Sequence, residues 1–195
     1  MKYVLKSYRM ATEILRTHER EYSDIMSILD ESTIDMTEPT RPQMTSLFKN
    51  LFSLSRWDCS VDVSDEHEVA SGKMTFMRGR VGVQVSFTHY LFIGTELLRF
   101  QMLSFSDQDL LDAGVYISIT DALSKLWGKP FFGSITFEKA TAYYEHLKGI
   151  ITVPMLFVGL LADKRSDFVV AESTGSRREW SKLQPRPRQN LRKET

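Results

Sequence analysis

The chain has 195 residues, 42% hydrophobic and 26% charged, with equal numbers of basic and acidic side chains. That length suits one domain with a sizeable core, and the balance excludes a disordered chain or one carrying a global basic footprint. The charge is uneven: residues 1–70 hold 8 Lys/Arg against 13 Asp/Glu, and residues 176–195 hold 7 against 2. The basic end reads either as a surface for a polyanion or as a solvated tail. A lone cysteine, Cys59, rules out an intrachain disulfide. No signal-like apolar run opens the chain, and the apolar run Pro154 to Ala162 is too short to span a bilayer. The expectation is a soluble, cytoplasmic protein with no membrane partner.

Residues 2–8 read as a short strand or an extended arm. From Met10 to about Glu31, apolar residues recur at steps of three and four, which predicts a helix with Thr12 as its cap. His18 lies on that stripe and reads as a satisfied, partly buried histidine. Residues 32–44, with Pro39 and Pro42, read as a loop. Thr45 or Ser46 would cap a second helix with Leu47, Phe48, Leu51, Phe52 and Leu54 as its apolar face, closing on Trp57. Cys59 to Val63 alternates as a strand does. Asp62, Asp65, Glu66, His67 and Glu68 follow, either a solvated acidic turn or a source of metal ligands.

The stretch Lys73 to Tyr90 organises the rest. Val81, Val83, Val85 and Phe87 alternate with Gly82, Gln84 and Ser86, the period of a strand. Met74 and Phe76 fit a partner strand joined through Met77-Arg78-Gly79-Arg80. Such a hairpin brings Thr75, Gln84 and Ser86 close together.

This hairpin resembles the active-site hairpin of the BglII and BstYI type II restriction endonucleases, of the PD-(D/E)XK nuclease class. Arg80, the Val81/Val83/Val85 ladder, Phe87, Tyr90 and Phe92 match that pattern. Its three chemical positions differ. Thr75 stands where the family has Asp, Gln84 where it has Glu, and Ser86 where it has Gln. Mg²⁺ prefers charged oxygen ligands, and metal-assisted hydrolysis depends on that ion. The resemblance therefore implies a nuclease scaffold with a degenerate site. No cofactor is expected as the residues stand, and Mg²⁺ would be needed if the protein is active.

Thr95 to about Phe105 reads as a helix with Glu96 in its first turn, where a carboxylate suits the helix dipole. Some relatives in the nuclease class move an active-site acid onto this helix, and Glu96 is the candidate here. Ala113 to Ile119 reads as a buried strand. Thr120 or Asp121 caps a short helix to Leu126, and Thr136 caps one from Phe137 to Lys148. Val153 to Leu161 is a strand covered on both faces, and Phe168 to Ala171 a last short one. The order predicts an α/β fold, a restriction-endonuclease-like mixed central sheet flanked by helices. One domain is expected over residues 1–172, followed by a basic, flexible tail over 173–195.

The resemblance also implies duplex DNA as partner, bound as a homodimer, with a GATC-centred palindrome as the default site. Thr88 and His89 fall where the family reads bases in the major groove. Lys129, Ser134 and Thr136 fall in its second reading loop. Lys73, Arg78, Arg80 and Lys129 are candidate phosphate contacts. Two alternatives stand beside this reading: an active endonuclease with a rearranged site fed by Glu96 or the acidic turn, and an interaction protein that reuses the fold without DNA.

Overall fold

The computed structural model describes residues 2–31, 39–62, 73–105 and 110–161. The expectations for Asp65 to Glu68, for a strand at Phe168–Ala171 and for the basic tail concern residues outside that set.

Among the described residues, six strands form one mixed sheet: β1 (Lys2–Tyr8), β2 (Asp58–Asp62), β3 (Lys73–Arg78), β4 (Val81–Val85), β5 (Ala113–Ile119) and β6 (Met155–Leu161). Their order across the sheet is β1-β6-β5-β4-β3-β2. The central strands β4, β5 and β6 run parallel, with antiparallel strands flanking them. Every residue of β4 and β5 is buried, because helices cover both faces. The fold is α/β, a mixed central sheet flanked by helices, as expected.

One face of the sheet packs on α1 (Ala11–Thr17), α2 (Glu19–Glu31), α3 (Arg41–Leu54) and α5 (Asp121–Trp127) through Leu15, Ile25, Phe48, Phe52 and Leu123. The other packs on α4 (Ile93–Phe105) and α6 (Phe137–Leu147) through Leu97, Phe100 and Tyr144. The alternation of β4 assigns its side chains: Val81, Val83 and Val85 join the first core. Gly82, Gln84 and Ser86 turn to the α4 side.

Two helix starts differ from expectation. The predicted helix from Met10 is two helices, broken at His18, whose φ of −96° and ψ of 59° are not helical. Thr12 lies inside α1, and its cap position is Met10, in the left-handed region. The His18 imidazole reaches Asp112 at 3.2 Å, a tertiary contact that the helical period does not encode. The third helix begins earlier than Thr45: Thr40 caps it reciprocally with Gln43, and Pro42 sits in the first turn, where its missing N–H costs nothing. Trp57 closes this packing edge-on to Phe52, as expected.

Candidate active site and DNA-facing surface

The hairpin closes through a two-residue connection, since Arg78 pairs with Val81. Gly79 takes the positive φ of 52° that this turn requires at its first central residue. The ladder runs to Phe76–Val83, and one step beyond stand Thr75 and Gln84. Thr75 is half-buried. Gln84 is opposite Tyr116 in the parallel pairing with β5, and its buried Oε1 has no hydrogen-bond donor among the described residues.

Glu96 gathers Ser86, Thr88 and Tyr116 around it. It lies in the first turn of α4, only 3% exposed. Its Oε1 accepts from Ser86 Oγ and from Thr88 Oγ1, each at 3.0 Å. Its Oε2 accepts from the Tyr116 hydroxyl. Burial pushes the Glu96 carboxyl above the usual carboxylate range, and the three hydroxyl donors oppose that shift. Tyr116 is pushed well above the usual phenol range, by burial first and then by the neighbouring carboxylate. Sequence reasoning placed Ser86 and Glu96 in the site but missed Tyr116. Alternation puts the Tyr116 ring on the α4 side, but only the β4–β5 register brings it to Glu96.

Thr88 and His89 lie just past β4. Thr88 is exposed, and its carbonyl accepts from Ile135 N at 2.8 Å. His89 is half-buried and bridges to Ser134. Gly133, with φ of 74°, lets the chain pass close: an added Cβ would lie 3.1 Å from the imidazole. The second loop therefore does meet the hairpin end.

Several expected contacts are committed elsewhere. Ser134 is fully buried and donates to Phe87 O at 3.4 Å, and Thr136 is 1% exposed and caps α6. Both hold the loop in place and offer nothing to a base edge. Arg78 points to α2, where it pairs with Asp24 and Glu21 and donates to Ser55 O at 3.0 Å. Arg80 pairs with Asp112 at 2.7 Å, holding the Asp112 carboxyl below its usual range. Arg78 ends β3 opposite Val81 and Arg80 lies in the turn before β4, so both are roughly 20 Å from Thr88 at the strand's rise per residue. The Lys73 ammonium lies 3.2 Å from Asp62, the one described member of the acidic turn.

Lys129 remains exposed. It lines a shallow groove of about 570 Å³ with Lys125, Lys139, Tyr90 and Phe132. Lys139 lies over the Tyr90 ring at 5.5 Å, and Phe132 is 87% exposed. Lys125 and Lys139 belong to different helices, so no local sequence pattern joins them.

A family model described as "Restriction endonuclease BglII/BglIII" matches residues 3–160. The chain belongs to that family. Its fold is similar to restriction endonuclease BglII complexed with a DNA 16-mer: TM-score 0.69 and 17% identity, over 85% of this chain and 79% of that one. It is also similar to free BglII, with a TM-score of 0.61 and 16% identity over 85% of this chain and 82% of that one. No curated protein sequence matches.

Restriction endonuclease chemistry brings Mg²⁺ into question, and the donors here do not fit it. Thr75, Ser86 and Thr88 supply neutral hydroxyls, and Gln84 a neutral amide oxygen. The carboxylate of the cluster, Glu96, already has three hydroxyls, of Ser86, Thr88 and Tyr116, within hydrogen-bond distance. Mg²⁺ needs charged oxygens free to take octahedral positions. Among the described residues no group of three or more His, Cys, Asp or Glu could hold a metal ion. Nor is any described helix long and apolar enough to cross a membrane.

Proposed function

We propose that this BglII-family protein binds duplex DNA sequence-specifically, as a homodimer on a palindrome, and that its hydrolytic site is disarmed. The observation that carries the loss of cleavage is the saturation of Glu96 by Ser86, Thr88 and Tyr116. The hydroxyls engage the lone pairs a cation would need and would have to be displaced by it. The neutral Thr75, Gln84 and Ser86 add no charge to replace it.

DNA binding rests on the exposed Thr88, on His89 beside it and on the lysine groove around Lys129. Thr and His can both read base edges, and lysines supply phosphate affinity without sequence information. The family's default of a GATC-centred palindrome applies, with His89 setting any departure from it. Dimerisation is supported by Leu98, Met102 and Phe105, exposed apolar side chains spaced i, i+4 and i+7 along α4.

A second reading takes its support from the same Glu96. An acid on the helix after the hairpin stands beside the Ser86 position, as in relatives with a migrated acid, so an active enzyme would use it.

A combined gel-shift and cleavage assay separates these readings. GATC-containing and scrambled duplexes are incubated with the full chain in EDTA, Mg²⁺ or Mn²⁺. Specific retardation without cutting in any lane supports the disarmed DNA-binding protein. Metal-dependent cutting overturns it in favour of the second reading. No retardation at low salt overturns both and leaves a fold reused for another purpose. Sedimentation of the free chain and of a Met102→Glu variant tests the dimer; a wild-type monomer on and off DNA refutes it.

A further inference from the structure

The hydroxyl cluster around Glu96 reaches the surface at Thr88. Ser86 Oγ and Thr88 Oγ1 are 3.0 Å apart, and each is 3.0 Å from Glu96 Oε1. Tyr116, wholly buried, donates to Oε2. A hydroxyl has one proton and two lone pairs, while a carboxylate only accepts. Ser86 and Thr88 therefore have two protons for three mutual contacts. The protons can both go to Glu96. Alternatively Ser86 gives to Thr88 and Thr88 to Glu96, or Thr88 gives to Ser86 and Ser86 to Glu96. In all three arrangements the Thr88 proton points inward. Turning it outward would leave the Ser86 proton alone to serve three O···O contacts of 3.0 Å, two of them with no hydrogen between the oxygens.

We propose that Glu96 is a positioning residue that sets the hydrogen-bonding polarity of Thr88. With its proton held inside, Thr88 presents only lone pairs to a duplex. It then selects a base-edge donor, the exocyclic amino group of adenine or cytosine, and disfavours the keto oxygens of guanine and thymine. A free threonine reads either kind of group, so the discrimination comes from the buried carboxylate. The inference rests on the DNA-binding reading and makes a definite choice within it.

Glu96→Gln tests the polarity directly. Tyr116 has to keep an acceptor for its buried proton, so the new amide turns its oxygen to Tyr116 and its NH₂ to Ser86 and Thr88. Both hydroxyls then accept from the amide; the proton of the buried Ser86 goes to Thr88, its remaining neighbour in the cluster, so the Thr88 proton is released outward as a donor. Wild type, Glu96→Gln and Thr88→Val are each used to select duplexes from a randomised pool. In the wild-type site, each adenine is then replaced by purine and each cytosine by its analogue lacking the 4-amino group, one at a time. One amino deletion per half-site weakens wild type roughly fivefold to tenfold, the size of one hydrogen bond. It leaves Thr88→Val unaffected, a comparison that also removes any change in the duplex itself. Glu96→Gln loses that amino dependence and selects a keto-bearing base at the same position.

Thr88→Val retaining the full sensitivity of wild type to every amino deletion overturns the inference. So does a folded Glu96→Gln that selects the same base as wild type. If Glu96→Gln fails to fold by circular dichroism, the Thr88→Val comparison decides alone. A merely structural Glu96 would change stability and leave base preference in place. Absence of binding to every duplex by wild type refutes the underlying DNA-binding reading, an outcome distinct from an unchanged preference.

Discussion

Replacing Arg78 with methionine keeps the aliphatic stem and removes the guanidinium, so it tests whether this residue holds the fold or a phosphate. Arg78 is 15% exposed in its side chain, and its partners Glu21 and Asp24 are 16% and 30% exposed. It joins the hairpin to α2 and, through Ser55 O, to the end of α3. Breaking a fully buried ion pair from one side costs about 3–5 kcal/mol. Here the two carboxylates left behind can reach water, so roughly 2–3 kcal/mol is the appropriate figure. For a domain of this size that is a fall in melting temperature of about 4–12 °C. The assays are thermal and urea unfolding, followed by binding to a duplex over a range of salt. Because Arg78 sits at the far end of β4 from Thr88, the slope of log affinity against log salt should not change. A loss below about 0.5 kcal/mol, within the range of ordinary surface substitutions, would refute the clamp. A salt slope lower by about one would show a phosphate contact instead.

Thr136→Ala removes the cap of α6 and should cost about 1 kcal/mol in urea unfolding, while the base preference of selected duplexes stays as in wild type; a changed preference would return Thr136 to the reading loop. Gly114→Ala places a Cβ 2.4 Å from the Phe100 ring and 2.6 Å from Met155 Sδ. Overpacking of that kind costs about 1–3 kcal/mol, and an unchanged urea midpoint would show that α4 and β6 are less tightly held than their contacts imply. The Glu96 carboxyl is raised above its ordinary value of 4.5, so between 4.5 and its folded value the native chain binds more protons than the unfolded chain. Stability from this group therefore falls as pH rises through that window and is regained on acidification. Measured against Glu96→Gln, which does not titrate, wild type should gain stability as pH is lowered toward 4.5; a relative loss would mean that the hydroxyl donors outweigh burial.

The strands and their faces were legible because burial imposes a period on neighbouring residues. The alternation of Val81 to Phe87 marks β4, the short β-rich stretch Ala113 to Ile119 marks β5, and the unbroken apolar run at β6 marks a strand covered on both sides. Caps read well where one residue carries the bond, as at Thr120 and Thr136. They read less well at Thr40, where a proline inside the first turn looks like a loop signal. The break at His18 was not legible, since its partner Asp112 is remote in sequence.

The site divides along the same line. Local order alone placed Gln84 and Ser86 on one face of a strand and Glu96 in the first turn of a helix. Hydrogen bonds between them depend on how α4 lies against β4, and the Tyr116 donor depends on the register of β4 with β5. The arginines show the converse: Arg78 and Arg80 carry the charge a phosphate would want, yet the carboxylates of α2 and of Asp112 take them first. Residue type and period are properties of neighbours along the chain, so the sequence states them. Which carboxylate meets which hydroxyl or guanidinium is a property of neighbours in space, and only the packed structure decides it.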